Sequence, residues 1–264
     1  MPAAALFEVL TEQESAAPRG TLEREYGAPL LVGADRVAVN FVSTIDGIVS
    51  FGSDRDDSRA IGGGVPADRI LMAMLRAIAG VIVVGAGTLR ATLNHQWTPS
   101  ALAPERAADL AALRGASGRP IAPAPLLVVG GSTGIPATAD AVARPATSLH
   151  VLAASATPAG AKFPRLDAAT ILEAARQLAA GGPVLCEGGP HLLGTLLAAA
   201  VPIDLFLTIA PQLAGRTAAS KGRRSLVEGV ALPAFARPGQ LRSVRRAGDH
   251  LLLRYAIDAA QPRL

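Results

Sequence analysis

The sequence predicts a three-layer α/β/α fold around a mixed, mostly parallel central sheet that ends in antiparallel strands. Three observations predict it. Short apolar runs alternate with helical segments, several of those runs stop at glycine, and the chain closes with two strand-like segments around one turn. Alternating strands and helices are typical of a parallel sheet that is covered by helices on both faces. The 264 residues are within the range of one large domain.

The first clear strand covers residues 36–43, where valines alternate along RVAVNFVS. Residues 44–47 are predicted to turn, and residues 48–51 to form a second, short extended piece. We place the start of a single domain, residues 36–264, at this strand. The poorly patterned residues 1–35 are then an N-terminal extension.

Within that extension, two weak local patterns can be read. Leu6, Val9 and Leu10 fit one face of a short helix. Residues 27–29, with the sequence Gly-Ala-Pro, mark a break.

Three helices are predicted where apolar residues recur at helical spacing. The first covers residues 66–79; Pro66 suits its first turn, and Asp68 suits the positive end of the helix dipole. The other two cover residues 168–180 and 190–200.

Continuous apolar runs next to glycine predict strands that are buried on both faces, as in a parallel sheet. They cover residues 81–84, 125–129, 150–153 and 184–186. A further strand at residues 204–210 ends before Pro211. Residues 241–247 and 250–257 flank Gly248 and Asp249, and we predict an antiparallel hairpin there.

The composition favours a soluble, cytoplasmic protein. Hydrophobic residues make up 50% of the chain and charged residues 17%, which suits a sizeable core. Cys186 is the single cysteine, so no intrachain disulfide can form, which fits a reducing compartment. The N-terminus does not resemble a signal peptide, and the apolar runs are too short to cross a bilayer, so we expect no membrane association.

The charge pattern argues against nucleic acid as a partner. The net charge is +4, but the arginines are scattered and lack interleaved aromatic residues for base stacking. One local group, Lys221, Arg223 and Arg224, fits either a phosphate site or a solvated loop.

Glycine follows three of the predicted buried strands, at Gly85, Gly130 and Gly188. In open α/β sheets, ligands bind beyond the carboxyl ends of the strands, and glycine lets the backbone approach a phosphate closely. Three such loops from one sheet suggest a nucleotide with more than one phosphate. Each loop on its own is equally consistent with a tight turn.

Several familiar sites are absent from the sequence. It has no G-x-x-x-x-G-K-[ST] phosphate loop and no G-x-S-x-G nucleophile elbow. The histidines and the cysteine are dispersed without metal-ligand spacing, so we expect no metal site. His191, after two glycines at a helix start, fits a ligand contact or a surface or capping role.

Two carboxylates stand where chemistry is expected. Asp46 follows the first strand, and fits either a functional group or a turn aspartate that bonds its own backbone. Glu187 follows an apolar strand, where a partly buried carboxylate suits a proton donor or a substrate anchor. Its other reading is an acceptor for neighbouring loop N–H groups.

Four segments together resemble the pyrimidine reductases of riboflavin biosynthesis, which form the C-terminal domain of a bifunctional deaminase-reductase. The first, N-F-V-S-T-I-D-G at residues 40–47, is similar to their S-x-D-G opening. R-A at residues 76–77 and V-I-V-V-G-A-G-T-L at residues 81–89 resemble their R-A…DAILVG-x-G-T-V. E-G-G-P-H-L at residues 187–192 resembles E-G-G-x-x-L, and residues 204–215 resemble D-E-x-x-L-x-x-x-P-x-x-x-G. Their order and spacing match over roughly residues 36–257.

This resemblance implies a dihydrofolate-reductase-like domain, an NADPH-dependent oxidoreductase, a homodimer, and reduction of the ribosyl group of a phosphorylated aminopyrimidine, 5-amino-6-(5-phosphoribosylamino)uracil. The implied catalytic residues are Asp46 and Glu187, and Asn40 and Ser43 join them in binding substrate. The implied cofactor contacts are Gly85, Gly87, Thr88, Gly130, Gly131, Ser132, Gly188, Gly189, Pro190, His191 and Leu192.

Two departures from the family pattern lie on the substrate side. Ile48 stands where the family commonly has lysine, and Thr92 stands in the segment where it has an aspartate-rich D-x-P. The substrate therefore stays open, and two alternatives remain. One is a dihydrofolate or pterin reductase of the same fold, and the other is an NADPH-binding paralogue without reductase activity.

Overall fold

The structure is a computed structural model that describes residues 5–52, 57–92, 95–130, 147–152, 166–217, 220, 222–233 and 237–259. The strands are β1 Glu8–Glu12, β2 Val37–Thr44, β3 Ile48–Ser50, β4 Val81–Gly85, β5 Leu126–Val129, β6 Leu149–Leu152, β7 Val184–Cys186, β8 Ile203–Ala210, β9 Arg224–Ser225, β10 Gly239–Ala247 and β11 His250–Ile257. The helices are α1 Thr21–Tyr26, α2 Ser58–Gly62, α3 Pro66–Ile78, α4 Ala86–Ala91, α5 Pro99–Leu102, α6 Ala107–Ala116, α7 Ala168–Ala179 and α8 Pro190–Ala198, with a 3₁₀ turn at Pro104–Arg106.

Nine strands form the central sheet in the order β1-β10-β11-β8-β2-β7-β4-β5-β6. The six strands from β8 to β6 run parallel to one another. β11, β10 and β1 continue the sheet antiparallel at the other edge. The predicted mixed, mostly parallel sheet with antiparallel C-terminal strands is therefore confirmed, as is the hairpin, in which Ala247 pairs with His250.

Successive residues of each central strand pack on opposite faces of the sheet, which creates two cores. Ala38 of β2 and Ile82 of β4 pack with helices α1, α3 and α6 on one face. Val39 of β2 and Val83 of β4 pack with α7 and α8 on the other face. Burial on both sides explains why these strands are continuous apolar runs in the sequence.

The N-terminal segment differs from the helix that its sequence suggested. Residues 8–12 form strand β1 and not the helix that Leu6, Val9 and Leu10 suggested. β1 pairs antiparallel with β10, and this non-local pairing overrides the weak helical spacing of a short segment. The predicted break is present, because α1 ends at Gly27, whose φ of 84° is in the left-handed region.

Some expectations fall outside the described residues, including those for Gly131, Ser132, Ala153 and Lys221. In the part of the chain that the structure describes, no helix has both the length and the apolar character that crossing a membrane requires.

Candidate active site

A cleft of about 1530 Å³ opens at the carboxyl ends of the parallel strands β2, β4, β5 and β7. Parallel strands all end at one edge of the sheet, so their loops and the helices that follow them converge there. This volume is larger than a typical small-molecule pocket and has room for two ligands side by side. The residues of the cleft lining that are used here and in the proposed function are Asn40, Asp68, Met72, Arg76, Gly85, Gly87, Thr88, Arg90, Thr92, His95, Trp97, Gly130, Glu187, Gly188, Gly189, Pro190, His191 and Leu192.

Two loops of the lining, residues 85–88 and 188–192, are in direct contact, and we call them the glycine loops. Gly85 N donates a hydrogen bond to Gly188 O at 2.8 Å. Gly188 has a φ of 99°, and a Cβ placed on Gly189 would lie 3.2 Å from Thr88 Oγ1. Glycine is therefore required by the approach of one loop to the other, and both loops present mainly backbone to the cleft.

The predicted cofactor contacts fall into two groups. All nine that lie in the described residues line the cleft: those of the two glycine loops, and Gly130 at the end of β5. Gly131 and Ser132 lie outside the described residues.

Glu187 is part of a buried ion pair with Arg76 of α3. Arg76 Nε donates to Glu187 Oε1 at 2.7 Å and Nη2 donates to Oε2 at 2.6 Å. The side chains of Arg76 and Glu187 are only 1% and 6% exposed. Because both carboxylate oxygens accept hydrogen bonds from one guanidinium, Glu187 acts as an anchored acceptor in this arrangement.

The guanidinium of Arg76 has further partners on the segment after α4. It donates to the Gln96 carbonyl at 3.1 Å and lies 2.8 Å from His95 Nε2. Arginine has no acceptor, so this histidine nitrogen must accept and the ring hydrogen must be on Nδ1. The guanidinium also lies 4.9 Å from the centre of the Trp97 ring. We call Arg76, Glu187, His95 and Trp97 the Arg76 cluster.

Asp46 lies at the turn after β2 and is not among the residues that line the cleft. Its carboxylate accepts hydrogen bonds from the Thr44 hydroxyl at 2.6 Å and from the N–H groups of Ala214 and Gly215 at 3.1 and 2.6 Å. These bonds, that of Thr44 first, lower the pKa of Asp46 to about 2. The carboxylate is therefore held by the Thr44 side chain and by a loop 168 residues away, and not only by the backbone of its own turn. A role of Asp46 beside the nicotinamide stays a prediction.

The other two predicted substrate contacts differ in position. Asn40, on β2, lines the cleft and is 8% exposed. Ser43 is buried on the same strand and is not among the lining residues. Cys186, which precedes Glu187, is also buried, and burial raises the pKa of its thiol to about 12. A thiol in that state is a poor nucleophile.

Asp68 is a carboxyl group of the cleft that we had interpreted only as a helix-terminal charge. It is half-buried on the first turn of α3 and lines the cleft. Burial raises its pKa, although the Thr208 hydroxyl and the charge of His250 oppose the shift.

Sequence reasoning missed Asp68, His95 and Trp97, and it quoted Arg76 only for the family likeness. One signal was available in the spacing of α3. Asp68, Met72 and Arg76 are four residues apart, so they lie along one face of the helix, and all three line the cleft. Two charged residues flanking a methionine on one face of a largely buried helix indicate a surface that meets a ligand and not the core.

The sequence profile of the RibD C-terminal domain matches residues 35–252, which is most of the chain. The chain belongs to this family. No curated protein matches the sequence. Membership of this reductase family supports an oxidoreductase.

Three solved structures illustrate the likeness. Acinetobacter baumannii RibD is 17% identical with a TM-score of 0.60, over 84% of this chain and 58% of that one. A pyrimidine reductase-like protein of Corynebacterium diphtheriae is 18% identical with a TM-score of 0.52, over 89% and 98%. The riboflavin biosynthesis reductase Rib7 of Saccharomyces cerevisiae is 13% identical with a TM-score of 0.51, over 88% and 94%.

At such identities, the likeness shows the fold alone. The chain spans little more than half the length of the Acinetobacter protein. Among the residues described in our structure, no group of three or more His, Cys, Asp or Glu side chains converges as metal ligands.

Proposed function

We propose that this protein is an NADPH-dependent reductase of a small pyrimidine or pterin substrate, with a phosphorylated ribosylaminopyrimidine as the first candidate. The observation that carries the proposal is the cleft of about 1530 Å³, which two touching glycine loops line, in a member of the RibD C-terminal domain family. An extended dinucleotide and a second ring both fit in a cleft of that size.

The residues present suit the cofactor. Helix α4 begins in the cleft, so its first backbone N–H groups have no partner within the helix. Helix α8 also begins there, but its first residue is Pro190, which has no N–H, and Leu192 N donates to Gly189 O at 2.9 Å. The open side of Gly87, where an added Cβ would meet only Arg90 Nη2 at 3.8 Å, leaves room for a phosphate against the backbone. We propose that Gly85, Gly87, Thr88, Gly130 and residues 188–192 hold NADPH, which would supply a hydride from its nicotinamide ring.

The substrate would be placed by side chains and not by backbone. Glu187 is fixed by Arg76, so its position in the cleft is set before any ligand arrives. We propose that Glu187 and Asn40 orient the substrate and that the surrounding buried residues exclude water. The preorganised geometry, and not a mobile acid, is then the protein's contribution to hydride transfer.

A second candidate, a dihydropterin or dihydrofolate, is favoured by the substrate side of the cleft. Ile48, at the position of the family's lysine, is 3% exposed and cannot hold a phosphate. Thr92 lines the cleft, and its hydroxyl donates to Thr88 O at 2.7 Å. The cationic group that the family commonly places after S-x-D-G is therefore absent here, while the carboxyl of Asp68 is present.

The test combines binding and turnover. We expect NADPH to bind the purified chain in calorimetry, and absorbance at 340 nm to fall when a ribosylaminopyrimidine or a dihydropterin is added. Absence of NADPH binding would overturn the proposal. Binding without turnover on either substrate class would instead support the silent-paralogue alternative.

We also propose a cytoplasmic homodimer. The family resemblance supports the dimer, and two large apolar residues, Ile45 and Leu213, are 60% and 73% exposed. They lie on segments joined by the hydrogen bond from Ile45 N to Gln212 O. Light scattering during size-exclusion chromatography would give twice the mass of the 26.8 kDa chain. A single-chain mass at micromolar concentration would contradict the dimer.

A further inference from the structure

Arg224 on strand β9 is an arginine of the cleft that the proposed function does not use. It is exposed and lines the cleft, and no acidic residue of the described chain forms an ion pair with it. The sequence left its neighbourhood open, since Lys221, Arg223 and Arg224 fit either a phosphate site or a solvated loop. The structure separates the two arginines.

Arg223 has a structural role. Its guanidinium donates to the carbonyl oxygens of Ala214 and Gly215 and lies 5.5 Å from the centre of the Phe51 ring. Neither Arg223 nor Phe51 is among the residues that line the cleft. Successive residues of an extended segment point to opposite sides, so the arginine that follows, Arg224, faces the cleft.

The backbone around Arg224 is held from two sides. Arg224 pairs with Ser50 of strand β3. Four residues later, Glu228 N donates to Pro190 O at 3.3 Å, and Glu228 O leaves no room for a Cβ on Gly194 of helix α8. The segment therefore packs closely on α8, and the position of the arginine is set before any ligand arrives.

Two acidic residues of the cleft lining belong to the segments around Arg224, and both have other partners. Glu228 forms an ion pair with Arg216 at 3.1 Å. Asp57 accepts a hydrogen bond from Phe51 N at 2.7 Å. The positive charge of Arg224 is thus left to attract an anion inside the cleft.

The contact with His191 shows which part of the cleft this anion would occupy. Arg224 Nη1 lies 3.5 Å from His191 Nδ1, on the glycine loop of residues 188–192. Arginine has no acceptor, so Nδ1 is the nitrogen without a hydrogen in this contact. The guanidinium is therefore beside the loop that the proposed function assigns to NADPH.

We propose that Arg224 binds the pyrophosphate of the dinucleotide cofactor. The planar guanidinium matches a pair of phosphate oxygens, and the positive end of the α8 dipole favours the same charge. The glycine loops would contribute backbone to this contact and Arg224 would contribute the charge. The inference rests on the proposed function, since it takes NADPH as the ligand of those loops.

The test uses two ligands that differ in the pyrophosphate, titrated into the full chain in calorimetry. ADP-ribose 2′-phosphate carries the pyrophosphate and the 2′-phosphate, whereas adenosine 2′-phosphate carries the 2′-phosphate alone. Arg224→Gln is expected to weaken binding of the first ligand at least about tenfold, as for the loss of one charge-assisted hydrogen bond. Binding of the second ligand is expected to stay at the wild-type value.

The control is Arg246→Gln on β10, which removes an arginine that is 53% exposed and outside the cleft lining, and it should keep both affinities. Arg224→Lys keeps the charge without the planar fork and should lose less than Arg224→Gln. Arg224→Ala serves if Arg224→Gln fails to fold.

Two results would overturn the inference. Equal losses for both ligands in Arg224→Gln would place the guanidinium at the 2′-phosphate, and unchanged affinity for both would make it a solvated arginine. Absence of NADPH binding in the wild-type protein would overturn the proposed function instead.

Discussion

The glycine loops and the Arg76 cluster line the same cleft, but they are built from different kinds of atom. The loops present backbone, and their shape is fixed by close approach, as in the hydrogen bond from Gly85 N to Gly188 O. The cluster presents side chains, and its shape is fixed by a buried ion pair between residues that are 111 positions apart. The shape of the first surface depends on the backbone, whereas the shape of the second depends on single side chains.

This difference leads to distinct expectations for mutation. A substitution in the Arg76 cluster should affect stability strongly, because it leaves a buried charge without its ion-pair partner. A substitution in the glycine loops should affect cofactor binding, with a stability effect that depends on the local φ.

The largest expected effect is that of Arg76→Met, which leaves the Glu187 carboxylate buried without its partner. We expect a loss of about 3–5 kcal/mol in the free energy of unfolding, measured by urea denaturation. Arg69→Met on the same helix is the matched control. It breaks an ion pair with Glu105 whose side chains are 45% and 50% exposed, and should cost about 0–1 kcal/mol. Similar losses for both variants would contradict the buried pair.

Gly188→Ala should have the next largest effect. Its φ of 99° disfavours any side chain, and the added Cβ would lie 3.4 Å from two ring atoms of Phe41. We expect a loss of about 1–3 kcal/mol in stability, together with weaker NADPH binding, because the loop must shift. Thermal unfolding and calorimetry on the same samples measure both, and a variant that keeps wild-type values would show that the loop tolerates a side chain.

Gly87→Ala separates binding from folding. An added Cβ has only Arg90 Nη2 within 4 Å, and alanine is favourable within helix α4, so stability should change by less than about 1 kcal/mol. NADPH affinity should fall at least about tenfold, since a phosphate could no longer approach the backbone closely. Unchanged affinity would remove Gly87 from the cofactor site.

Asp46→Asn should have the smallest effect and one that depends on pH. The folded-state pKa of Asp46, about 2, is below the unfolded value of about 3.9, so its contribution to stability is complete above pH 4. The contribution is lost as the pH falls through 2. The difference in stability between wild-type and variant should therefore shrink on acidification, in urea denaturation followed from pH 5 to pH 2.

The same variant tests the remaining prediction for Asp46. A role beside the nicotinamide requires turnover to fall far more than NADPH affinity. A purely structural role at the 214–215 loop predicts that turnover and NADPH affinity both stay close to the wild-type values.

The sequence predicted what is local or periodic in this fold. The run VIVV at residues 81–84 is strand β4, because burial on both faces and the following Gly85 are both visible in the sequence. The glycine loops followed from those strands, since parallel strands bring their carboxyl ends to one edge.

The hydrogen-bond and ion-pair partners of the site residues could not be predicted from the local sequence, because these partners are distant along the chain. Asp46 and Asp68 are both aspartates near the boundary of a helix or strand. The carboxylate of Asp46 accepts a hydrogen bond from a loop 168 residues away, whereas Asp68 lines the cleft. The pairing of Glu187 with Arg76 likewise depends on how α3 packs against the sheet. Only the spacing of Asp68, Met72 and Arg76 carried a local signal.

Strand β1 changes what must be kept for this protein to fold. The family profile begins at residue 35, but Phe7, Leu22 and Tyr26 lie in the core, and the buried Arg245 donates to Glu12 and to the Tyr26 carbonyl. A gene product shortened to the family boundary would expose the backbone of β10 along a whole edge and leave that guanidinium without its partners. Such an edge recruits strands from other molecules, so the shortened chain should aggregate, although every residue of the cleft would still be present.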